Sequence, residues 1–381
     1  MIGADAVVEA LIERGASLVA GVPCSFLTPL LDAAIDSPRL RYVAAANEGD
    51  AVAIACGAYL GSGRPGVAMF QNSGLGNAVN PLSSLTASFE LPVLLVTTWR
   101  GEPGGAPDEP QHRQMGEITP KLLELLELAW ELFPELPEDL APVLDRAFAQ
   151  LEKARSPYAL LARKGALAGA ALAQRRSHAA RARCAPPAPA GAALVDPDDA
   201  LRAVQAAVSP EDVVLATTGY TGRALCALED RPSQLYMVGS MGCVSSLALG
   251  LALVRPERRV VALDGDGALL MRMGALAAAA EEQPANLVHV LLDNGAHEST
   301  GAQSSASHRV DLAEVARACG YPRVTRARSA EELGAALAER APGLHFVHLR
   351  TALRAGAPPP RPRLAPPQVA RRLMQWLGSA P

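Results

Sequence analysis

The sequence predicts an α/β protein built from two doubly wound parallel-sheet domains. Short apolar and β-branched runs alternate with helix-forming segments along most of the 381 residues, a pattern typical of parallel strands joined by crossover helices. This alternation occurs twice, and a stretch rich in Ala, Arg and Pro separates the two halves. We therefore expect a first domain over residues 1–165, a linker over 166–193, a second domain over 194–351, and a Pro-rich tail with a C-terminal helix over 352–381.

The first half contains the elements of one such domain in order. Helices are predicted over Ala6–Arg14, Phe26–Ile35 and Asp50–Leu60, strands over Ser17–Ala20, Arg41–Ala45, Val67–Phe70, Pro92–Thr97 and Tyr158–Ala162, and a Gly/Pro-rich loop over Pro103–Glu117. Glu48 follows the second strand and precedes an apolar helix, so we expect its carboxylate to be poorly solvated. The alternative is that Glu48 only caps the helix that follows it.

The second half contains a matching series of elements. Strands are predicted over Val213–Ala216, Leu235–Val238, Val260–Leu263, Leu287–Leu292 and His345–Leu349, and helices over Val244–Leu253 and Val369–Leu377. Asp266 and Asn294 follow two neighbouring strands, and open α/β sheets bind ligands at the carboxyl ends of their strands. A carboxylate and an amide oxygen that converge there suit Mg²⁺, which substrate phosphates and water usually complete. This part of the sequence therefore predicts a metal-bridged diphosphate.

A glycine-rich turn, Gly239-Ser240-Met241-Gly242, opens a helix directly after a strand. Small residues at such a place let backbone N–H groups and the helix N-terminus approach a phosphate. A tight structural turn is the alternative, and the Asp266/Asn294 pair downstream favours a diphosphate cradle.

The composition restricts the function class. The net charge is −4, half of the residues are apolar, and no polybasic face argues for nucleic acid. No run approaches the roughly 20 apolar residues of a membrane span, and the first residues indicate a helix and not a signal peptide. Six cysteines without CxxC spacing indicate reduced thiols. We expect a cytoplasmic protein with neither nucleic-acid nor membrane partners.

Several motifs together resemble those of thiamine diphosphate-dependent 2-oxo acid decarboxylases. Asn294 lies 28 positions after Asp266, which is similar to the spacing in that family's cofactor motif. The other motifs are Gly21-Val-Pro-Cys-Ser25, Asn47-Glu-Gly49, Gln71-Asn-Ser-Gly-Leu-Gly-Asn77, Trp99-Arg-Gly101, Asp108-Glu-Pro-Gln-His112, Thr217-Thr-Gly-Tyr-Thr-Gly-Arg223, Gly239-Ser-Met-Gly242 and Asp293-Asn-Gly-Ala-His297. The resemblance implies that the first domain binds the pyrimidine, that the second binds the diphosphate, and that no middle domain is present.

The resemblance also implies roles for individual residues. Mg²⁺ ligands are implied at Asp266, Asn294 and the carbonyl oxygen of Ala296. Contacts to thiamine diphosphate are implied for Glu48, Asn72, Gly74, Thr218, Gly219, Gly239, Ser240, Met241, Gly265, Asp266, Gly267, Asn294 and Ala296. Catalysis is implied for Glu48, which promotes the imino tautomer of the pyrimidine, while Met241 holds the cofactor bent.

The motifs are most similar to the group that acts on 3-phosphonopyruvate, with the sulfopyruvate-decarboxylating group next. This implies decarboxylation to phosphonoacetaldehyde, in organic phosphonate biosynthesis, by a homodimer or larger homo-oligomer whose active sites are shared between subunits. The basic candidates for binding the small anionic substrate are Arg100, His112, Arg113 and His297. His112 is also the candidate for proton transfer, because imidazole titrates near neutrality.

Three positions depart from the family pattern. Cys24 stands where relatives often carry Asp, Cys243 where His is expected, and Arg113 where pyruvate decarboxylases have a second His. The last departure favours an anionic substrate. One alternative is a carboligase, which usually has a middle domain. The other is an inactive scaffold subunit, and the presence of Glu48, Asp266 and Asn294 together argues against it.

Overall fold

The computed structural model describes residues 1–169 and 194–380. The chain divides into two compact units, whose described parts are these two ranges. Only residues 170–193 separate the two ranges, and such a stretch is too short for a further domain, which usually needs about 50 residues or more.

Unit 1 is a parallel sheet with helices packed against it. Its strands are β1 (Ile2–Gly3), β2 (Leu18–Gly21), β3 (Arg41–Ala44), β4 (Gly66–Phe70), β5 (Val93–Thr98), β6 (Ala129–Leu132), β7 (Tyr158–Ala162) and β8 (Leu167–Ala168). Its helices are α1 (Ala4–Glu13), α2 (Thr28–Asp36), α3 (Glu48–Ser62), α4 (Leu75–Pro81), α5 (Ala87–Phe89), α6 (Arg113–Leu125) and α7 (Pro137–Ala154).

The main sheet of unit 1 has six parallel strands in the order β3-β2-β4-β5-β7-β6. The chain leaves β2 toward β3 on one side and leaves β4 toward β5 on the other, so the strand order reverses between β2 and β4. Ligands of open α/β sheets bind at such a point. Helix α3 packs directly on β4. The approach is so close that a Cβ on Gly66 would lie 2.4 Å from the carbonyl oxygen of Ala55. The start of α3, at Glu48, is thereby held at the same edge as the ends of β2 and β4.

Unit 2 is a second sheet of the same kind. Its strands are β9 (Val213–Ala216), β10 (Gln234–Tyr236), β11 (Val260–Gly265), β12 (Leu287–Asp293), β13 (Ala296–His297), β14 (Gln303–Ser304), β15 (Arg323–Ala327) and β16 (His345–Arg350). Its helices are α8 (Pro197–Ala207), α9 (Tyr220–Leu228), α10 (Val244–Val254), α11 (Asp266–Met271), α12 (Ala275–Glu282), α13 (Leu312–Cys319), α14 (Ala330–Ala338) and α15 (Pro366–Leu377).

The main sheet of unit 2 repeats the strand order of unit 1. Its six parallel strands run β10-β9-β11-β12-β16-β15, and here the connections diverge between β9 and β11. The predicted fold class, two doubly wound parallel sheets of one architecture, is confirmed. The strands β11 and β12 are neighbours whose register pairs Gly265 with Leu292, so the residues that follow them emerge at one edge.

In unit 1, the predicted loop and the predicted end of the domain differ from the structure. The loop expected over Pro103–Glu117 is shorter, because α6 already begins at Arg113. The first unit extends beyond residue 165, because Leu167–Ala168 pairs with β1. The rest of the predicted linker, residues 170–193, lies outside the described residues.

The C-terminal tail belongs to unit 2 and is not a separate appendage. Helix α15 begins at Pro366, earlier than predicted, with proline in its first turn, where the missing N–H costs nothing. Its apolar face is buried through residues such as Leu373, and Arg372 pairs with Asp230 at 2.7 Å. Over the described ranges, no helix has both the length and the apolar character that crossing a membrane requires.

Candidate active site

A cavity of about 90 Å³ lies at the carboxyl ends of β9, β11 and β12 in unit 2. Its lining includes nine residues that the sequence analysis selected: Thr218, Gly219, Met241, Gly265, Asp266, Gly267, Asn294, Ala296 and His297. Gly239 and Ser240 belong to the same loop as Met241 but do not line the cavity. The structure therefore brings together residues from four separate segments of the chain.

Asp266 is the most buried acidic group of this cavity. It begins α11 and is only 2% exposed, and its Oδ2 accepts a hydrogen bond from Ser305 Oγ. Burial raises the pKa of Asp266, and the neighbouring carboxylate of Asp293 raises it further. Within the described ranges no basic side chain pairs with Asp266, so its charge is compensated best by a bound cation.

Asn294 is held in one orientation by its neighbours. Its Oδ1 accepts from the backbone N–H of Ala296 at 3.0 Å, and its Nδ2 donates to Glu298 Oε2 at 3.2 Å. Gly295 has φ of +71°, and its left-handed conformation makes the tight turn after β12. Oδ1 keeps a second lone pair, as a metal ligand would need.

The donor set consists of oxygen atoms with a single carboxylate. In the part of the chain that the structure describes, no group of three or more His, Cys, Asp or Glu side chains is arranged to hold a metal. A site made of Asp266, the amide of Asn294 and a backbone carbonyl has only one such side chain. It suits a hard cation that keeps phosphate or water ligands.

Two serine side chains that are not among the residues predicted from the sequence support this site. Ser305 and Ser307 have Oγ atoms 3.1 Å apart, and Ser307 donates to Asp293 at 2.7 Å. Burial by itself acts to raise the pKa of Asp293, but hydrogen bonds from His348 and Ser307 outweigh it and leave the pKa lowered. Asp293 is therefore a fixed negative charge behind the cavity.

The floor of the cavity depends on Gly267. A Cβ at this position would lie 2.6 Å from His297 Cε1 and 3.3 Å from Met241 Cε. Met241 and His297 therefore converge on a place that only glycine leaves open. In the turn before α10, Gly242 has φ of +91°, and a Cβ there would lie 2.8 Å from the carbonyl oxygen of Ala268.

In unit 1, Glu48 is the first residue of α3 and is half-buried. The cap of α3 is Asn47, whose side chain accepts from the backbone N–H of Asp50 at 3.1 Å, so the capping alternative for Glu48 is not what the structure has. Its Oε2 accepts from Asn77 Nδ2 at 2.8 Å. A Cβ on Gly74 would lie 2.0 Å from Glu48 Oε1, so the glycine makes room for the carboxylate.

Hydrogen bonds connect several polar side chains beyond the ends of β2 and β4. Gln71 Oε1 accepts from Cys24 Sγ at 3.3 Å and from Arg100 Nη1 at 3.4 Å, and Gln71 Nε2 donates to Ser73 at 2.7 Å. Ser73 Oγ lies 3.2 Å from His112 Nδ1. The buried His112 is thus connected to the point where β2 and β4 diverge. Gln71 and Ser73 are not among the site residues predicted from the sequence, although both belong to the motif that contains Gly74.

Arg100 is already paired with a carboxylate. It donates to both oxygens of Asp108, at 2.9 and 2.5 Å, and its guanidinium lies 4.7 Å from the centre of the Phe26 ring. The hydrogen bond from Arg100 keeps the pKa of Asp108 well below its usual range. Arg100 is therefore already compensated by a carboxylate, and its contact with the substrate stays a prediction. Arg113, at the start of α6, is exposed.

Asn72 is bonded within unit 1, and the cofactor contact expected for it stays a prediction. Its Oδ1 accepts from Thr98 Oγ1 and from the backbone N–H of Arg100, and its Nδ2 donates to the carbonyl of Arg100 and to Thr119. The side chain is completely buried, and both of its polar atoms are used within unit 1. It joins the ends of β4 and β5 to α6.

The residues present fit thiamine diphosphate with a divalent cation. The buried, uncompensated carboxylate of Asp266 fits the cation. The cavity beside Gly219, the first turn of α9 and Gly267 fits phosphate oxygens. Glu48, held by Asn77 and with Gly74 beside it, is a hydrogen-bonding carboxylate for a ring nitrogen.

Comparisons with known proteins agree with this fit. Residues 1–119 match the thiamine pyrophosphate enzyme N-terminal TPP binding domain, and residues 218–349 match the C-terminal TPP binding domain of the same enzymes. Among solved structures, benzoylformate decarboxylase from Polynucleobacter necessarius is similar in fold, with a TM-score of 0.70 and 13% identity over 92% of this chain and 98% of that chain.

Curated relatives match over nearly the whole chain. Phosphonopyruvate decarboxylases of Streptomyces viridochromogenes and Streptomyces hygroscopicus are each 42% identical, over 100% and 99% of this chain and 96% and 94% of theirs. Sulfopyruvate decarboxylase of Methanosarcina acetivorans is 32% identical over 86% of this chain and 85% of its own length. This chain therefore belongs to the family of thiamine pyrophosphate enzymes.

Proposed function

We propose that this enzyme decarboxylates 3-phosphonopyruvate to phosphonoacetaldehyde and CO₂, with thiamine diphosphate and Mg²⁺. The observation that carries the proposal is 42% identity to two phosphonopyruvate decarboxylases along the entire chain. The product retains a carbon–phosphorus bond, which would place the reaction in organic phosphonate biosynthesis. Cys24, Cys56, Cys226, Cys243 and Cys319 form no disulfide within the described residues, which fits the cytoplasmic location that we propose with it.

In unit 2, the chain's own residues would hold the cofactor by its diphosphate end. Asp266, Asn294 and the carbonyl oxygen of Ala296 would bind Mg²⁺, and Thr218, Gly219 and the loop of Met241 would surround the phosphates. Burial supports this role for Asp266, because a carboxylate that water cannot solvate gains most from a cation.

In unit 1, Glu48 would hydrogen-bond the pyrimidine end. Asn77 fixes one carboxylate oxygen of Glu48 at 2.8 Å, which leaves the other oxygen for a ring nitrogen. Thiamine diphosphate supplies the electron sink that makes loss of CO₂ from a 2-oxo acid possible. The protein's part is to position the cofactor and the substrate and to supply a proton.

His112 is the candidate for proton transfer to the carbon that loses CO₂. It is buried, and the Ser73 hydroxyl lies 3.2 Å from Nδ1, which restrains the ring so that Nε2 points in a defined direction. His297, beside Gly267 in unit 2, remains a candidate contact for the substrate's carboxylate.

We also propose that the working unit is a homodimer or larger homo-oligomer. The two halves of the cofactor would be held by residues of different units, Glu48 in unit 1 and Asp266 in unit 2. Sharing of sites between subunits would make association a condition of activity.

The test is CO₂ release by the protein loaded with thiamine diphosphate and Mg²⁺, measured with phosphonopyruvate, sulfopyruvate and pyruvate side by side. The proposal predicts the highest kcat/KM for phosphonopyruvate. A higher kcat/KM for sulfopyruvate would make sulfopyruvate the assigned substrate instead. No release from any 2-oxo acid, by protein that binds the cofactor, would favour the inactive scaffold.

A further inference from the structure

A second cavity in unit 2, about 460 Å³ in volume, lies beside the cofactor cavity. The two cavities share Thr218 and Gly219 at the end of β9. The second one is bordered by residues 236–238, at the end of β10, and by residues 361–366 of the C-terminal tail. Its volume lies within the range of small-molecule sites, which is about 300–1,000 Å³.

The charged side chains that line this second cavity are all arginines. They are Arg223 of α9 and Arg361 and Arg363 of the tail, and no Asp or Glu is part of the lining. Two other arginines of the same tail, Arg354 and Arg372, each pair with an aspartate. Within the described ranges Arg223, Arg361 and Arg363 have no acidic partner. Three like charges around one cavity repel one another unless an anion joins them.

The tail is held on both sides of this cavity. On one side, the backbone N–H of Arg354 donates to Glu298 Oε1, and Glu298 also binds Asn294 and lines the cofactor cavity. On the other side, α15 buries its apolar face, including Val369, which lines the second cavity. Arg361 and Arg363 are therefore placed over the cavity by a segment that is anchored before and after them.

The side chains of this cavity indicate the class of ligand. The first turn of α9 begins after Gly219, which borders both cavities, and its N–H groups are those that we assign to the cofactor's phosphates. The arginines remain for a second anion, because a guanidinium binds a phosphate-like group by paired N–H···O bonds. Three of them around one cavity suit an oxyanion with more than one charge.

We propose that this second cavity binds a phosphate-like dianion through Arg223, Arg361 and Arg363. The ligand is either the phosphonate group of the substrate, a case that rests on the proposed function, or free phosphate. In both cases the arginines of the tail are the source of free positive charge that Arg100, paired with Asp108, does not provide.

The test is titration calorimetry with inorganic phosphate on the protein loaded with thiamine diphosphate and Mg²⁺. We compare the wild type with Arg223→Ala and with the double variant Arg361→Ala/Arg363→Ala. The control is Arg328→Ala, an exposed arginine after β15 at the opposite edge of the same sheet. We expect a Kd about tenfold or more higher in both cavity variants, because charge-assisted bonds are lost, and no change in the control.

Kinetics separate the two sources of the anion. If the substrate's phosphonate occupies the cavity, the double variant loses kcat/KM for phosphonopyruvate about tenfold more than for pyruvate, and phosphate inhibits the wild type competitively. If free phosphate is the ligand, the two substrates are affected alike, and phosphate does not compete with either. Both results support the anion site.

An unchanged phosphate Kd in both cavity variants, or an equal change in Arg328→Ala, would overturn the proposal. Phosphate binding requires no turnover, so the proposed function is tested separately. If the variants lose phosphate binding while the wild type fails to decarboxylate phosphonopyruvate, the anion site stands and the proposed function does not.

Discussion

Asp266 shows at the scale of one residue how burial prepares a cation site. Its folded-state pKa is raised, so the ionised form costs stability in the protein without metal. Because the folded-state pKa is raised, the loss of stability is absent at acid pH, where the carboxyl group is protonated. The loss develops as the pH rises through the folded-state pKa. A bound cation removes the cost at neutral pH, where the carboxylate is ionised, and a proton competes with the cation as the pH falls.

We predict that Asp266→Asn raises the Tm of the protein without cofactor at neutral pH, because the amide carries no charge for burial to penalise. The amide oxygen of Asn can still accept a hydrogen bond from Ser305, but it has no negative charge to balance that of a cation. The increase in Tm that wild-type protein gains from thiamine diphosphate and Mg²⁺ should therefore be absent. Differential scanning calorimetry between pH 5 and pH 8 checks both effects, and an undiminished cofactor-induced increase would contradict the role of Asp266.

Gly74 and Gly76 provide a matched pair in one motif. A Cβ at position 74 would lie 2.0 Å from Glu48 Oε1, whereas a Cβ at position 76 would meet nothing within 4 Å. We predict that Gly74→Ala displaces the carboxylate and lowers kcat about 100-fold or more, because errors of about 1 Å in catalytic groups have such effects. Gly76→Ala should retain kcat.

Steady-state kinetics on the two glycine variants provide the measurement, with thermal unfolding as a control for folding. Equal kcat values for the two variants would mean that the placement of Glu48 does not limit the reaction.

At the scale of elements, Asn72 explains how the end of β4 is joined to its neighbours. Its buried side chain bonds to the hydroxyls of Thr98 and Thr119 and to both backbone groups of Arg100. Because Arg100 begins the loop that leads to His112, this one side chain positions the loop relative to Gln71.

We predict that Asn72→Ala lowers stability by about 3 kcal/mol, since several buried partners are left unsatisfied. That loss corresponds to a decrease of roughly 6–12 °C in Tm. Cofactor affinity at a temperature well below Tm should remain close to that of the wild type. A wild-type Tm together with weakened binding of thiamine diphosphate would instead support the cofactor contact predicted from the sequence.

The element scale also shows what could be predicted from the sequence. Asp266 and Asn294 were found because each directly follows an apolar strand, and strand neighbours in a parallel sheet have their ends at one edge. Ser305 and Ser307 follow β14 directly and have no periodic signal, so only the fold reveals their bonds to the two aspartates. The pairing of Arg100 with Asp108 depends on a loop conformation that composition does not determine.

At the scale of the whole molecule, the two units have one strand order and different residues at the strand ends. The ends of β2 and β4 in unit 1 bear Cys24 and Gln71, and the ends of β9 and β11 in unit 2 bear Thr218 and Asp266. Neither set alone would hold both ends of thiamine diphosphate. The repeated architecture could be predicted from the alternation of elements, but the placement of the tail against β10 could not, because its Pro-rich sequence has no periodicity.

We predict that mixing inactive Glu48→Gln and Asp266→Ala chains restores activity. In a mixed dimer with shared sites, one of the two sites has both residues intact, so a statistical mixture recovers about a quarter of the wild-type activity. Mass-tagged chains verify that the subunits exchange, and Glu48→Gln mixed with itself is the control. Exchange without recovery would show that sites are not shared between chains.

The central claim is that the chain cleaves the carboxylate from phosphonopyruvate and keeps the carbon–phosphorus bond. Phosphorus NMR of a reaction with thiamine diphosphate and Mg²⁺, recorded together with CO₂ release, follows both at once. We predict that the phosphonopyruvate signal is replaced by that of phosphonoacetaldehyde, with one CO₂ for each molecule converted, and that Glu48→Gln prevents this. Persistence of the phosphonopyruvate signal with fully loaded wild-type protein, or appearance of inorganic phosphate as the product, would contradict the account.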